Sequence, residues 1–138
     1  MYLTNRIENM NKKLETQLVE RFPTFFRDYG KSPRESCMAF GCDHGDGWFD
    51  ILWKLCENIE KTQYKDKFYF QQIKEKFAAL RIYYTPSNPE LDTLIEKAEQ
   101  ESLNVCEQCG SKQNVTTNSE GWLTTMCETC RNKSKPPR

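Results

Sequence analysis

The sequence predicts an α+β fold: a small helical domain with a β-hairpin, followed by a C-terminal four-cysteine zinc-ribbon-like module. Three observations predict it: two C-x-x-C pairs near the C-terminus, apolar stripes at helical spacing, and aromatic runs at 68–70 and 80–84. We divide the 138 residues into an α+β core domain (1–103), the cysteine module (104–131) and a basic tail (132–138) that we expect to be flexible.

Three segments are predicted to be helical. Residues 5–22 carry apolar side chains at steps of three and four, and Pro23 ends that pattern. Residues 48–63 form a wide apolar face, with Asp46 as the expected N-cap. A third helix is expected from Ser87-Asn88-Pro89-Glu90 to about 102, because these residues supply a cap, a proline in the first turn and an early carboxylate.

The segment 67–85 fits two patterns, a helical stripe and a pair of strands. We predict two strands with a turn near 77–79, because aromatic and β-branched residues cluster at both ends. Alternation along such strands places Lys74, Lys76, Arg81 and Tyr83 on one side. Three cations beside a phenol ring suit a phosphate-bearing, stackable ligand such as a nucleotide. The competing interpretation is an ordinary solvated sheet face.

The four cysteines near the C-terminus predict one tetrahedral zinc site with ligands Cys106, Cys109, Cys127 and Cys130. Since protein sulfur fills every position, the zinc is expected to be structural. Two alternatives are a pair of disulfides and a thioredoxin-like redox pair. The N-terminal residues show no apolar signal-peptide stretch and no run long enough to span a bilayer, so we expect a reducing cytosol, that of the host cell, and no membrane.

The turn from Asp46 to Trp48 is a candidate second wall for the ligand; the alternative is a turn that places Trp48 in the core. Nearby His44 is the single histidine. With three further cysteines it forms a weaker candidate for a second metal site, and with Cys42 or Cys37 alone it is a candidate Cys-His nucleophile. Those cysteines are Cys37, Cys42 and Cys56.

Catalytic signatures are absent from the sequence, which contains no nucleophile elbow, phosphate loop, dinucleotide fingerprint or H-E-x-x-H helix. We therefore expect a protein that is not an enzyme. Twenty basic and twenty acidic residues cancel, so no overall field attracts the chain to nucleic acid, and nucleic-acid binding is not expected.

Several motifs resemble a group of small phage and bacterial proteins. They are Arg21-Phe22-Pro23, Gly45-Asp46-Gly47-Trp48, the stretch 72–77 followed by Leu80-Arg81-Ile82-Tyr83, and the two cysteine pairs. The resemblance implies a helix-and-hairpin domain with a zinc ribbon, a phage setting, and a Gly-Gly turn in relatives where this chain has Ala78-Ala79.

A small phage protein without catalytic motifs is often a counter-defence factor, an inference by association. The first hypothesis is sequestration of a nucleotide-type immune signal on the cationic hairpin face. The second is a zinc-stabilised module that inhibits or adapts a host or phage protein. An enzyme that degrades such a signal ranks third, and a homo-oligomer is possible in each case.

Overall fold

A computed structural model describes residues 7–118 and 121–134. Within these ranges the chain forms four α-helices and two small sheets, which confirms the α+β class. No helix in the described ranges is long and apolar enough to cross a membrane. The elements, in chain order, are α1 (Lys12–Arg21), β1 (Cys42–Asp43), α2 (Phe49–Glu60), β2 (Tyr69–Lys76), β3 (Ala79–Thr85), α3 (Pro89–Glu101), β4 (Val115–Thr117), β5 (Thr125–Cys127) and α4 (Glu128–Ser134).

The main hydrophobic core lies between α2, α3 and one face of the sheet. Helix α2 contributes five buried side chains along its apolar stripe, as its pattern predicts. They are Ile51, Leu52, Leu55, Cys56 and Ile59. A separate small cluster consists of Met126 and three of the C-terminal cysteines, with Val115 packed against them. The cysteine module therefore has its own apolar centre beside the larger one.

Helix α1 begins seven residues later than expected. Asn11 caps it: the side-chain oxygen accepts from Lys13 N, and the Asn11 N–H donates to Asp46 Oδ1 at 2.6 Å. This second bond holds the preceding chain in a non-helical path, although Met10 is still buried. Residues 5 and 6 of the expected helix lie outside the described residues.

The start of α2 also differs from the prediction. A 3-10 turn, Asp46–Trp48, precedes the helix, and the N-cap position is Trp48, without a side-chain cap bond. Asp46 was therefore wrongly predicted as the cap, because its carboxylate accepts from Asn11 instead. The helix ends at Glu60, three residues early.

The predicted hairpin is confirmed. Strands β2 and β3 pair antiparallel, and the turn consists of Phe77 and Ala78, whose φ values are +53° and +72°. Two positive φ values are typical of the type I′ turn that matches the twist of paired strands. Strand β1, only two residues long, adds in parallel to the other edge of β2; its shortness left no pattern to predict.

Helix α3 begins as predicted. Asn88 Oδ1 accepts from Leu91 N at 3.0 Å, and Pro89 occupies the first turn. Beyond Glu101, a 3-10 turn leads the chain straight to Cys106, and there Ser102 Oγ accepts from Leu80 N at 2.9 Å. No long linker separates α3 from the cysteine module.

Residues 132–134, which were predicted to belong to a flexible tail, lie in helix α4 instead. The Arg131 guanidinium donates to the carbonyl oxygens of Thr116 at 2.6 Å and Thr124 at 3.1 Å, which fastens α4 to the β4–β5 hairpin. The rest of the expected tail, 135–138, lies outside the described residues.

Candidate metal centre and hairpin face

The first cysteine pair lies in a tight turn. The Cys106 N–H donates to Ser111 O at 2.8 Å, and the Gly110 N–H returns to Cys106 O at 2.9 Å. Gly110 adopts a φ of +83°, a conformation that glycine takes without steric cost. Gly110, which follows Cys109, thus closes the turn, and both sulfurs point to one side.

The second pair lies where a strand becomes a helix. Cys127 is the last residue of β5, and Cys130 falls in the first turn of α4. The Cys130 N–H donates to Cys127 Sγ at 3.4 Å. The predicted hairpin between the two pairs is present as β4 and β5, which pair antiparallel. The finer classification as a zinc ribbon stays a prediction.

The four sulfur atoms converge on one point. All lie within 4.8 Å of one another, and Cys109 Sγ is 3.7 Å from Cys127 Sγ. Tetrahedral coordination with Zn–S bonds of about 2.3 Å separates neighbouring sulfurs by about 3.8 Å. All seven cysteines are free thiols, without the short S–S contact of a disulfide. The cluster is compatible with one structural metal ion.

Local hydrogen bonding prepares the cluster for a cation. The N–H donated by Cys130 lowers the pKa of Cys127 to about 7, whereas burial raises the pKa of Cys109 and of Cys130. Four close thiolates repel one another, so they do not all ionise without a compensating charge. A bound dication removes that repulsion, and coordination then deprotonates the thiols.

The Gly45-Asp46-Gly47-Trp48 turn contacts the first cysteine turn directly. The Gly47 N–H donates to Glu107 O at 2.6 Å, and the Gly45 N–H donates to Glu107 Oε2 at 2.9 Å. A Cβ on Gly47 would lie 1.9 Å from Cys106 O, and one on Gly45 would lie 2.5 Å from Glu107 O. Glycine is needed at both positions because the two backbone segments touch. The sequence analysis did not predict this contact, although the two glycines were the signal that pointed to it.

Trp48 does not contribute a ligand wall. The side chain is fully buried, and its indole N–H donates to Val105 O at 3.0 Å. This corrects the expected ligand contact and agrees with the alternative, a turn that places the ring in the core. Asp46 is exposed, but its carboxylate is occupied by the Asn11 N–H near the N-terminal segment.

The hairpin register places the four predicted hairpin residues on a common side. Lys74 pairs with Arg81, and Lys76 and Tyr83 follow at alternating positions on their strands. Lys76, Arg81 and Tyr83 are exposed and Lys74 is half-buried. In the described ranges, none of the three cations forms an ion pair, and none of the four side chains lines a described cavity. We call this surface the hairpin face.

No family model, curated protein or solved structure matches this chain. The resemblance to small phage and bacterial proteins therefore stays a prediction.

The remaining cysteines do not assemble a second site with His44. Burial raises the pKa of Cys42 and of Cys56, so both thiols stay protonated in the core, while Cys37 is exposed. In the part of the chain that the structure describes, only the four C-terminal cysteines bring three or more ligand atoms together. The weaker candidate, a His44 site with these cysteines, is not formed.

Proposed function

We propose that this protein is a zinc-stabilised binding module that docks an acidic surface of a partner protein through the hairpin face. One observation carries the proposal: Lys74, Lys76 and Arg81 share an exposed face with Tyr83 and have no acidic partner among the described residues. Unpaired cations attract an acidic surface, and arginine and tyrosine are among the residues enriched in the cores of protein interfaces.

The shape of the face favours a macromolecular partner over a small ligand. Small-molecule sites are usually cavities of about 300–1,000 Å³ that enclose most of the ligand. The hairpin face lines no such cavity in the described ranges, and buried Trp48 supplies no second wall. The zero net charge gives no long-range attraction to a nucleic-acid polyanion, whereas an acidic patch on a protein needs only the local charge complementarity that the hairpin face offers.

A nucleotide-type signal molecule is the second candidate, and the same cations favour it. An exposed arginine such as Arg81 offers two parallel N–H donors to a phosphate, and the Tyr83 ring, 39% exposed, offers a face for a base to stack on. In the phage setting that the resemblance implies, retention of such a molecule in the host cytosol would be a counter-defence activity. Docking would instead inhibit or adapt a host or phage protein.

We further propose that the metal is zinc and that it acts structurally. Four thiolates are the ligand set of closed zinc sites, in which no position remains for water or substrate. On this proposal the module stabilises the fold and the protein is not an enzyme. Function then depends on the hairpin face, and loss of the metal impairs function only by loosening the module.

A charge-reversal pair tests the docking proposal. We expect Lys74→Glu/Arg81→Glu to abolish capture of an acidic partner from infected host cells. The matched control is Lys54→Glu/Lys97→Glu, which makes the same charge change in the groove between α2 and α3 and is expected to retain the partner. Equal capture by both variants overturns the proposal.

Calorimetry distinguishes nucleotide binding, the second candidate, from protein docking. Cyclic dinucleotides and ADP-ribose-type nucleotides are titrated into the purified zinc-loaded chain and into Arg81→Ala. If the wild type binds a nucleotide, Arg81→Ala does not, and no partner protein is captured, then the sequestration proposal replaces the docking proposal. Mass spectrometry of the incubated nucleotides then separates retention from turnover.

A further inference from the structure

A small polar cavity lies between the core domain and the cysteine module. Its volume is about 60 Å³, and its polar lining includes His44, Asp43, Glu75, Glu107 and Thr124. These residues come from β1 and the residue after it, from β2, from the first cysteine turn and from the loop between β4 and β5. The cavity therefore exists only when the module is packed on the core. It contains none of the hairpin-face residues.

The imidazole of His44 presents an unused nitrogen here. The residue is 2% exposed, and its Nδ1 lies 2.8 Å from Gly45 O. A carbonyl oxygen only accepts, so Nδ1 carries the proton and Nε2 has a free lone pair. That Nε2 is buried without a hydrogen-bond partner among the described residues. A neutral imidazole whose other nitrogen is fixed by a backbone carbonyl is the usual state of a metal-binding histidine.

The carboxylates around the cavity lack compensating cations. Glu107 is 3% exposed, and one of its oxygens accepts from the Gly45 N–H. Asp43 and Glu75 are half-buried, and within the described ranges no lysine or arginine forms an ion pair with any of the three. A buried carboxylate takes up a proton, pairs with a cation or coordinates a metal, and no side-chain cation of the described residues supplies that pairing here.

We propose that this cavity is a second metal site, which binds a hydrated divalent cation through His44 Nε2 and the Glu107 carboxylate. An imidazole nitrogen with carboxylate oxygens suits ions such as Mn²⁺ or Fe²⁺, and these keep coordinated water. Only the cysteines bring three or more ligand atoms within 4.8 Å among the described residues. The ion is therefore held directly by at most two side chains, and Asp43 and Glu75 accept from its water ligands. The site is independent of the hairpin face.

Mn²⁺ is the probe, added to the zinc-loaded chain, because a hard ion does not displace zinc from four thiolates. The chain has a single histidine, so its ring signals in nuclear magnetic resonance spectra are unambiguous. We expect one bound Mn²⁺ per chain by electron paramagnetic resonance, with selective broadening of the His44 ring signals. No broadening at millimolar Mn²⁺, or broadening spread evenly over the exposed acidic residues, overturns the proposal and assigns the cavity to ordered water.

Variants distinguish Mn²⁺ binding in the cavity from nonspecific Mn²⁺ binding elsewhere. We expect His44→Gln and Glu107→Gln to weaken Mn²⁺ binding at least about tenfold. Asp46→Asn is the matched control, since this carboxylate is exposed and bonded to Asn11, and it is expected to bind as the wild type does. Should the buried variants fail to fold, Glu75→Gln with its half-buried side chain gives the same test. Wild-type Mn²⁺ affinity in His44→Gln, or in Glu75→Gln where the buried variants do not fold, contradicts the assignment.

Discussion

Gly47 lies so close to Cys106 that a methyl group on its Cα would be 1.9 Å from the Cys106 carbonyl oxygen. At the same contact, the Gly47 N–H donates to Glu107 O at 2.6 Å. The two segments are about sixty positions apart in the chain, yet they meet backbone to backbone. Any side chain at 47 separates the core from the turn that carries two of the four clustered cysteines.

We therefore expect Gly47→Ala to lower the free energy of unfolding by about 3 kcal/mol or more, because a backbone carbonyl has to move. Urea denaturation measures this loss, and chelator competition should show weaker zinc retention. Gly30→Ala is the control: its φ is +89° and its Cβ meets nothing within 4 Å. Left-handed strain there costs about 1 kcal/mol and leaves zinc retention unchanged. Equal effects of the two substitutions would contradict the close-contact argument.

What the sequence predicted correctly depended on local signals. The spacing of the cysteines, the cap at Asn88 and the aromatic runs that flank Phe77 are each readable within a short window. Strand β1 and the role of Gly47 depend on partners far along the chain, which no local pattern records. The predicted start of α1 was wrong for the same reason. A hydrogen bond between Asn11 and the distant Asp46 determines where the helix begins.

Loss of one sulfur ligand tests the metal centre. We expect one zinc per wild-type chain by elemental analysis, and a fall in zinc affinity of more than about 100-fold in Cys127→Ser, since direct ligands matter more than the groups that orient them. The control is Cys37→Ser, at an exposed cysteine outside the cluster, which should keep its zinc. Full zinc occupancy in Cys127→Ser under chelator competition would rule out the four-sulfur site.

The buried His44 predicts a specific dependence of stability on pH. Burial lowers its pKa from 6.5 to about 4, although the nearby carboxylates oppose the shift. Because the folded pKa lies below the unfolded one, the unfolded chain binds the proton more readily. Stability is therefore lost as the pH falls from about 6.5 to about 4, by about 3 kcal/mol in total. The carboxylates that face the ring belong to Asp43, Asp46, Glu15, Glu75 and Glu107.

Two measurements check this prediction. Both use protein to which zinc is the only divalent ion added. The ring signals of the single histidine should titrate near pH 4, and not near the ordinary value of 6.5. Urea denaturation at several pH values should give a shallower acid slope for His44→Gln than for the wild type. Protonation of the four clustered cysteines occurs in both chains and cancels in that difference. A ring pKa near 6.5 in the folded chain would show that the imidazole is not buried as described.

The hairpin turn offers a stabilising substitution. Phe77 has a φ of +53° and is 74% exposed, so its side chain adds strain while burying little apolar surface. Asparagine tolerates this left-handed conformation, and we expect Phe77→Asn to raise the free energy of unfolding by about 0.5–1 kcal/mol. Phe77→Val, which places a β-branched residue at the same φ, is the matched control and should lower it. Thermal denaturation of the three chains ranks them. If Phe77→Asn proves less stable than the wild type, the ring contributes contacts at this turn that outweigh the backbone strain.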